Sequence, residues 1–154
     1  LNAMLRTQIS DALKVSMKEK NGRSVSTLRL ILAAVKDRDI SARAKGNQEG
    51  INHAELLSLL QSMIKQRTES INLYKKGGRD ELAQQELEEI SVIESFLPVP
   101  LSETESNAAI KNVIEETGAK SIKDMGKVMS TLKQQYAGRM DFSQASQNIK
   151  KRLE

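Results

Sequence analysis

Three charged residues lie on apolar stripes of predicted helices, where an unpaired charge would be costly. Arg67 comes three residues after Ile64 and four before Ile71, while Glu86 and Glu89 share a face with apolar residues of the next helix. A guanidinium taken out of water without a partner is strongly destabilising. We therefore predict that Arg67 forms a structural ion pair with Glu86 or Glu89.

The same carboxylates could in principle hold a metal ion. Di-iron sites in helical bundles use Glu-x-x-His pairs, which this sequence lacks. It contains one histidine, His53, and no cysteine, so it offers no ligand set for zinc and no disulfide. We expect no metal site and no cofactor.

Catalytic motifs are also missing. His53 is not accompanied by a Gly-x-Ser-x-Gly turn, and the glycine pairs at 46–50 and 77–78 do not have the spacing of a phosphate-binding loop. An activated nucleophile is not visible either. The residues by themselves predict no catalytic centre, so we do not expect an enzyme.

Positive charge is concentrated at the C-terminal end of the chain. The net charge is +4, and residues 118–154 contain eight Lys and Arg against three acids. Lysines and helix N-termini commonly hold phosphates, although a basic surface can also simply be solvated. We expect the four aromatic residues to pack against other side chains, so contacts should be to the backbone of a nucleic acid. The candidate nucleic-acid contacts are Lys120, Lys123, Gly126, Lys127, Arg139, Lys150, Lys151 and Arg152.

A second basic row lies in the predicted second helix. Arg29, Lys36 and Arg43 recur every seven residues, which places them on one side of a helix. Such a row is either a solvated face or a surface for an acidic helix of a protein partner.

The elements that must position these residues are helices. Apolar residues recur at helical spacing, and no stretch alternates with the period of two that is typical of a strand. Asn52 and Ser102 are predicted N-caps, with Glu105 completing a capping box at Ser102, and either Asp141 or Ser143 is expected to cap the last helix. Gly22 is expected to end the first helix, with the second beginning near Ser24.

Both prolines of the chain, Pro98 and Pro100, interrupt this helical pattern. We predict an all-α fold with an N-terminal bundle of about four helices at 4–97, a proline linker at 98–101 and a three-helix domain at 102–154. The short apolar runs predict no membrane-spanning segment, and the absence of cysteine and of a leader favours the cytoplasm. Residues 1–3 resemble a cloning remnant before Met4.

Several segments resemble the YqeY-like family, whose members are similar to the tail region of the B subunit of glutamine-dependent tRNA amidotransferase. The segments are Arg29–Lys36, Lys65–Ser70, Gly78–Leu82, Phe96–Pro98 and Asp124–Met129, in the family's order and spacing. Together they extend the resemblance over residues 4–154.

The resemblance implies a helical bundle, a smaller helical tail domain and an association with tRNA. The family motif at 124–129 carries over to Gly126 and Lys127, whereas 99–100 and 138–144 follow the family pattern loosely. We predict a non-catalytic, tRNA-binding accessory protein, with an amidotransferase or a tRNA synthetase as further partners. The alternatives are a part in carbon-nitrogen ligase activity with glutamine as amide donor, which the resemblance suggests, and a helical adaptor between proteins.

Overall fold

Residues 2–154 are described by a computed structural model, with side chains from Met4 onward, and they form seven α-helices. These are α1 (Asn2–Lys18), α2 (Gly22–Ala44), α3 (His53–Lys76), α4 (Asp80–Glu94), α5 (Glu103–Thr117), α6 (Met125–Gln135) and α7 (Phe142–Leu153). A 3-10 turn at Ile122–Asp124 leads into α6. Since this part of the chain contains no strand, the predicted all-helical class is confirmed. Leu1 lies outside the described residues, and with it part of the predicted cloning remnant.

The chain divides into two compact units, of which the first ends at Leu97 and contains α1–α4. Helix α3 packs along α4, α1 packs along α2, and α2 also contacts α4. Leucine and isoleucine supply the core of this unit because their long apolar side chains interdigitate between helices. The side chains with almost no exposure are those of Ile9, Leu28, Ile31, Leu56, Leu60 and Ile93.

The second unit, Pro98–Glu154, has an apolar core of its own. Its three helices contribute the buried residues Ala109, Ile110, Val113, Val128, Leu132, Ala145, Ile149 and Leu153, and Met140 adds a side chain from the loop before α7. The backbone of Leu101 donates a hydrogen bond of 2.8 Å to the carbonyl of Arg139, so the segment before α5 is tied to the loop between α6 and α7.

The predicted helix starts at Asn52 and Ser102 are confirmed, and of the two alternatives for the last helix, Asp141 and Ser143, the cap is Asp141. Asn52 and Ser102 each accept a hydrogen bond from the backbone N–H three residues on, and both are in capping boxes. The Asp141 side chain accepts from two backbone N–H groups of α7. These side chains satisfy donors that the first turn of a helix leaves unpaired.

The start of α2 differs from the prediction. The helix begins at Gly22, not near Ser24, and Asn21 is its N-cap, accepting a hydrogen bond of 3.2 Å from Ser24 N. Gly22 has a negative φ and therefore takes part in the helix. Glycine is most common just past the end of a helix, but because it adopts negative φ as readily as positive φ it can also stand in the first turn.

Candidate functional site

A salt bridge that the sequence reasoning missed joins α1, α2 and the loop before α3. Arg6 Nη1 lies 2.7 Å from Asp39 Oδ2, and Arg6 Nη2 lies 2.8 Å from Asp39 Oδ1. Asp39 Oδ1 also accepts a hydrogen bond of 2.9 Å from Ile51 N, and Arg6 Nη2 donates to Ile51 O at 3.0 Å. A bidentate arrangement of this kind fixes both side chains in one geometry.

Asp39 is only 7% exposed, so its charge depends on these partners. The hydrogen bond from Arg6 is the main reason why the pKa of Asp39 is lowered. Gly50 is part of the same junction, since its φ is +83° and a Cβ at this position would collide with the Asp39 carboxylate. The signal in the sequence was the spacing: Asp39 lies four residues after Val35, on the buried face of α2.

Arg67 lies between α3 and α4, close to the acids that the sequence analysis named. Arg67 Nε is 3.3 Å from Glu89 Oε2, and Arg67 Nη1 donates to Met63 O at 3.1 Å. Burial and then the neighbouring Glu89 raise the pKa of Glu86. The three side chains form a partly buried group of two carboxyls and one guanidinium, in which the positive charge of Arg67 opposes the rise of the Glu86 pKa.

The lysines near the start of α6 surround an aspartate that occupies the local backbone donors. Lys120, Lys123 and Lys127 are exposed, but Asp124 Oδ2 accepts hydrogen bonds from Lys120 N at 2.9 Å and from Ser121 N at 3.3 Å. These N–H groups are the kind that a phosphate would need. The hydrogen bond from Lys120 N is the main reason why the pKa of Asp124 is lowered. This carboxylate therefore already supplies the negative charge that a phosphate would bring to these N–H groups.

The other predicted nucleic-acid contacts are distributed over further elements. Arg139 Nε donates to Val99 O at 2.9 Å, and Arg152 Nε donates to Asn148 Oδ1 at 2.8 Å, so both have structural contacts. Lys150 and Lys151 are exposed on α7, and Gly126 is exposed on α6 with open space where a Cβ would be. The structure thus brings Lys120, Lys123 and Lys127 near one turn, while the two arginines bond elsewhere in the second unit.

Among residues 2–154, no group of three or more His, Cys, Asp or Glu side chains could hold a metal ion. Nor is any of the seven helices long and apolar enough to cross a membrane.

Comparison with known proteins identifies a family whose profile covers nearly the whole chain, and relatives that match part of it. A profile of the family described as Yqey-like protein matches residues 6–153. The protein named "Altered inheritance of mitochondria protein 41, mitochondrial" from Eremothecium gossypii is 33% identical over 98 residues, which are 63% of this chain and 51% of that protein. Its namesake from Lachancea thermotolerans is 33% identical over 107 residues, 68% of this chain and 54% of that protein. The namesake from Pyrenophora tritici-repentis is 29% identical over 127 residues, 79% of this chain and 67% of that protein.

These names correct two predictions. The curated relatives are named for the inheritance of mitochondria, and the name mentions neither tRNA nor an amidotransferase, so the prediction of a tRNA-binding amidotransferase accessory is wrong. The predicted cytoplasmic location is wrong as well, because the relatives are named as mitochondrial proteins. The first error came from transferring the role of one enzyme's tail region to this chain. The second came from taking the absence of cysteine and of a leader as signs of the cytoplasm.

The recognition of the family itself is confirmed. The profile match includes all five segments on which the resemblance was based and continues through both compact units. The chain spans about half the length of the first two curated relatives. By the match over residues 6–153, the chain belongs to the YqeY-like family.

Proposed function

We propose that this chain is a helical adaptor that binds another protein in the process for which its relatives are named, the inheritance of mitochondria. The relatives' name supplies the process. The surface of the chain supplies the mode of action, because it presents large apolar side chains to solvent beside charged ones.

One observation carries the adaptor role. Leu30 and Ile40 on α2 are 48% and 53% exposed, although the helix has a full apolar face for the core of its unit. Apolar side chains grouped on a surface with a polar rim commonly mark a protein interface. The exposed residues Arg29, Lys36 and Arg43 lie along the same helix and supply such a rim.

We also propose that the two compact units are separate domains, four helices at 4–97 and three at 102–154, connected by 98–101. The separate apolar core of the second unit supports this division. An adaptor with two domains can present one of them to a partner while the other has a different task. The chain spans about half the length of its first two curated relatives. We therefore propose that it performs only part of their function.

A chimera tests the proposal. The segment of the Lachancea thermotolerans protein that matches this chain is replaced by the chain, and the chimera is produced in cells that lack the original protein. We expect mitochondria at their normal frequency in daughter cells, and fluorescence of a tagged chimera at mitochondria. Cells without the original protein provide the baseline.

The matched control carries Leu60→Asp, which introduces a charge at a fully buried position and should abolish folding. Altered inheritance in cells that contain a stable intact chimera at mitochondria would overturn the proposal. Normal inheritance in the baseline strain would overturn it as well, since the process would then not depend on the relative.

A further inference from the structure

Helix α2 has two apolar faces, of which the first unit uses only one. Leu28, Ile31 and Val35 are buried at 1%, 0% and 5% exposure. Leu30 and Ile40 lie on the opposite side, since successive residues are about 100° apart around a helix. An amphipathic surface helix normally has charged and polar residues on its outer side.

The outward residues follow a regular spacing. Steps of three and four residues connect Leu30, Ala33, Asp37, Ile40 and Ala44, all of which are exposed. This is the spacing of the seam along which two helices pack in a coiled coil. The seam extends over about 21 Å, given a rise of about 1.5 Å per residue, and its two alanines allow a second backbone to approach closely.

A basic row borders the seam on one side. Arg29, Lys36 and Arg43 are exposed and recur every seven residues, in the positions that flank a coiled-coil seam. Arg43 Nε donates to Gln48 O at 3.2 Å, which restrains that side chain. Flanking charges of this kind determine which helix can pair, because like charges across the interface repel.

We propose that this outward seam of α2 binds an amphipathic helix of a partner protein, with apolar residues at the seam and Glu or Asp facing the basic row. The proposal rests on the proposed adaptor function and names its surface and the chemistry of the partner. Charge complementarity selects the acidic partner. Asp37 in the middle of the seam calls for a basic or polar residue opposite, which would set the register.

A second copy of the chain fits this surface poorly. In an antiparallel pair the two basic rows would face each other, and in a parallel, in-register pair Asp37 would meet Asp37 of the other copy. Both arrangements bring like charges together and are disfavoured. The seam therefore favours a different chain.

The binding test uses designed peptides and the full chain. The probe is a three-heptad helical peptide with Leu at its seam, one seam Lys to meet Asp37, and Glu at the flanking positions. A second peptide has Lys in place of each Glu. We expect fluorescence anisotropy to detect binding of the acidic peptide and at least tenfold weaker binding of the basic one.

Variants then locate the surface. Leu30→Glu combined with Ile40→Glu should weaken binding of the acidic peptide at least tenfold, while the fold is retained because both positions are exposed. Lys36→Glu should weaken binding of the acidic peptide and strengthen binding of the basic one. The matched control is Leu73→Glu on α3, a residue that is 69% exposed and outside the seam, which should leave binding unchanged.

Three outcomes would overturn the inference: equal affinity for both peptides, concentration-dependent dimerisation that Leu30→Glu abolishes, or binding to anionic phospholipid vesicles in place of the acidic peptide.

The chimera separates this inference from the adaptor proposal. If the chimera restores inheritance and Leu30→Glu with Ile40→Glu does not impair it, the seam is wrong and the adaptor function stands. If the unmodified chimera does not restore inheritance, the proposed adaptor function is wrong, whichever peptide the chain binds.

Discussion

At the scale of single residues, Asp39 shows how the fold maintains a buried charge. Its carboxylate accepts from two nitrogens of Arg6 and from Ile51 N, so three donors replace the water lost on folding. Because these partners belong to α1 and to the loop before α3, the residue holds three segments together. Removing this charge should therefore lower the free energy of unfolding by more than most single substitutions do.

We expect Asp39→Asn to lower the free energy of unfolding by about 3 kcal/mol at pH 7, because it leaves Arg6 without its carboxylate. Urea titration measures the change. Asp37→Asn, two residues away and exposed, is the matched control and should change stability by about 0.5 kcal/mol or less. Equal effects of the two variants would mean that the salt bridge contributes nothing.

The pH dependence of this difference has a definite sign. The folded chain lowers the pKa of Asp39 below its ordinary value of 3.8, chiefly through the hydrogen bond from Arg6. The stabilisation is therefore complete above that value and is lost as the pH falls through the folded pKa. The gap between the wild-type chain and Asp39→Asn should be widest near pH 7 and close in acid.

Glu86 should behave in the opposite way. Burial and then Glu89 raise its pKa above the ordinary 4.5, so the folded chain keeps this proton to higher pH than the unfolded chain. The contribution of protonated Glu86 to stability is complete below that value and is lost as the pH rises through the folded pKa. We expect Glu86→Gln to be more stable than the wild type at pH 7, by up to about 1 kcal/mol.

Urea titrations at pH 4 and pH 7 measure this effect, and the advantage of Glu86→Gln should grow between them. Glu94→Gln on the exposed end of α4 is the matched control and should show no such growth. A loss of stability at pH 7 in Glu86→Gln would contradict the assignment, because it would mean that the ionised carboxylate stabilises the fold.

The contrast between Arg67 and Asp39 shows what residue spacing can predict. Arg67 stands out because a long cation interrupts an apolar stripe, so its placement near Glu89 could be anticipated. Asp39 continues the spacing of Leu28, Ile31 and Val35 in the same way, but aspartate at the end of an apolar run resembles its exposed neighbour Asp37. Its partner is 33 residues away in sequence, at a distance that no local pattern specifies.

At the scale of elements, helix ends were predictable where a side chain caps them. Asn52, Ser102 and Asp141 each accept backbone hydrogen bonds at the predicted position. The start of α2 was missed because Gly22 follows Asn21, and glycine occurs both before and after helix ends. Whether a glycine stops a helix depends on its φ, which the residue type leaves open.

Two glycines of the second unit test this dependence on φ. Neither Gly118 nor Gly126 has any atom within 4 Å of an added Cβ, but Gly118 has a φ of +66° and Gly126 is inside α6. We expect Gly126→Ala to stabilise the chain by about 0.5 kcal/mol and Gly118→Ala to destabilise it by about 1 kcal/mol.

Thermal unfolding of the two single variants, followed by circular dichroism, measures the difference. Each variant is the control for the other, since they add the same methyl group in equally open space. A stabilising Gly118→Ala would contradict the left-handed helix end at that residue.

At the scale of the whole molecule, the sequence was sufficient for the fold class and the family but insufficient for the biological role. Helical spacing of apolar residues led to the all-α class, and five short segments led to the family. The role was wrong because motifs report common ancestry and packing, whereas function depends on sites that relatives can change. The outward seam of α2 could not be predicted from the sequence, because its definition depends on the exposure of Leu30 and Ile40 in the folded chain.

The second unit should fold without the first, since its nine core residues all come from Pro98–Glu154. We expect a fragment of residues 98–154 to have a helical circular dichroism spectrum and a cooperative urea transition. Its stability should be only a few kcal/mol, as is usual for so small a core. Leu132→Ala, at a fully buried position, should cost about 3 kcal/mol and unfold most of the fragment.

In the full chain the same Leu132→Ala should remove only the helical signal of the second unit, because the core of the first unit is built from other residues. Lys133→Ala, at the exposed neighbouring position, is the matched control and should leave both transitions in place. If the fragment has no cooperative transition, or if Leu132→Ala unfolds the whole chain at once, the helices form one cooperative domain. The segment around Pro98 and Pro100 would then be an internal loop of that domain.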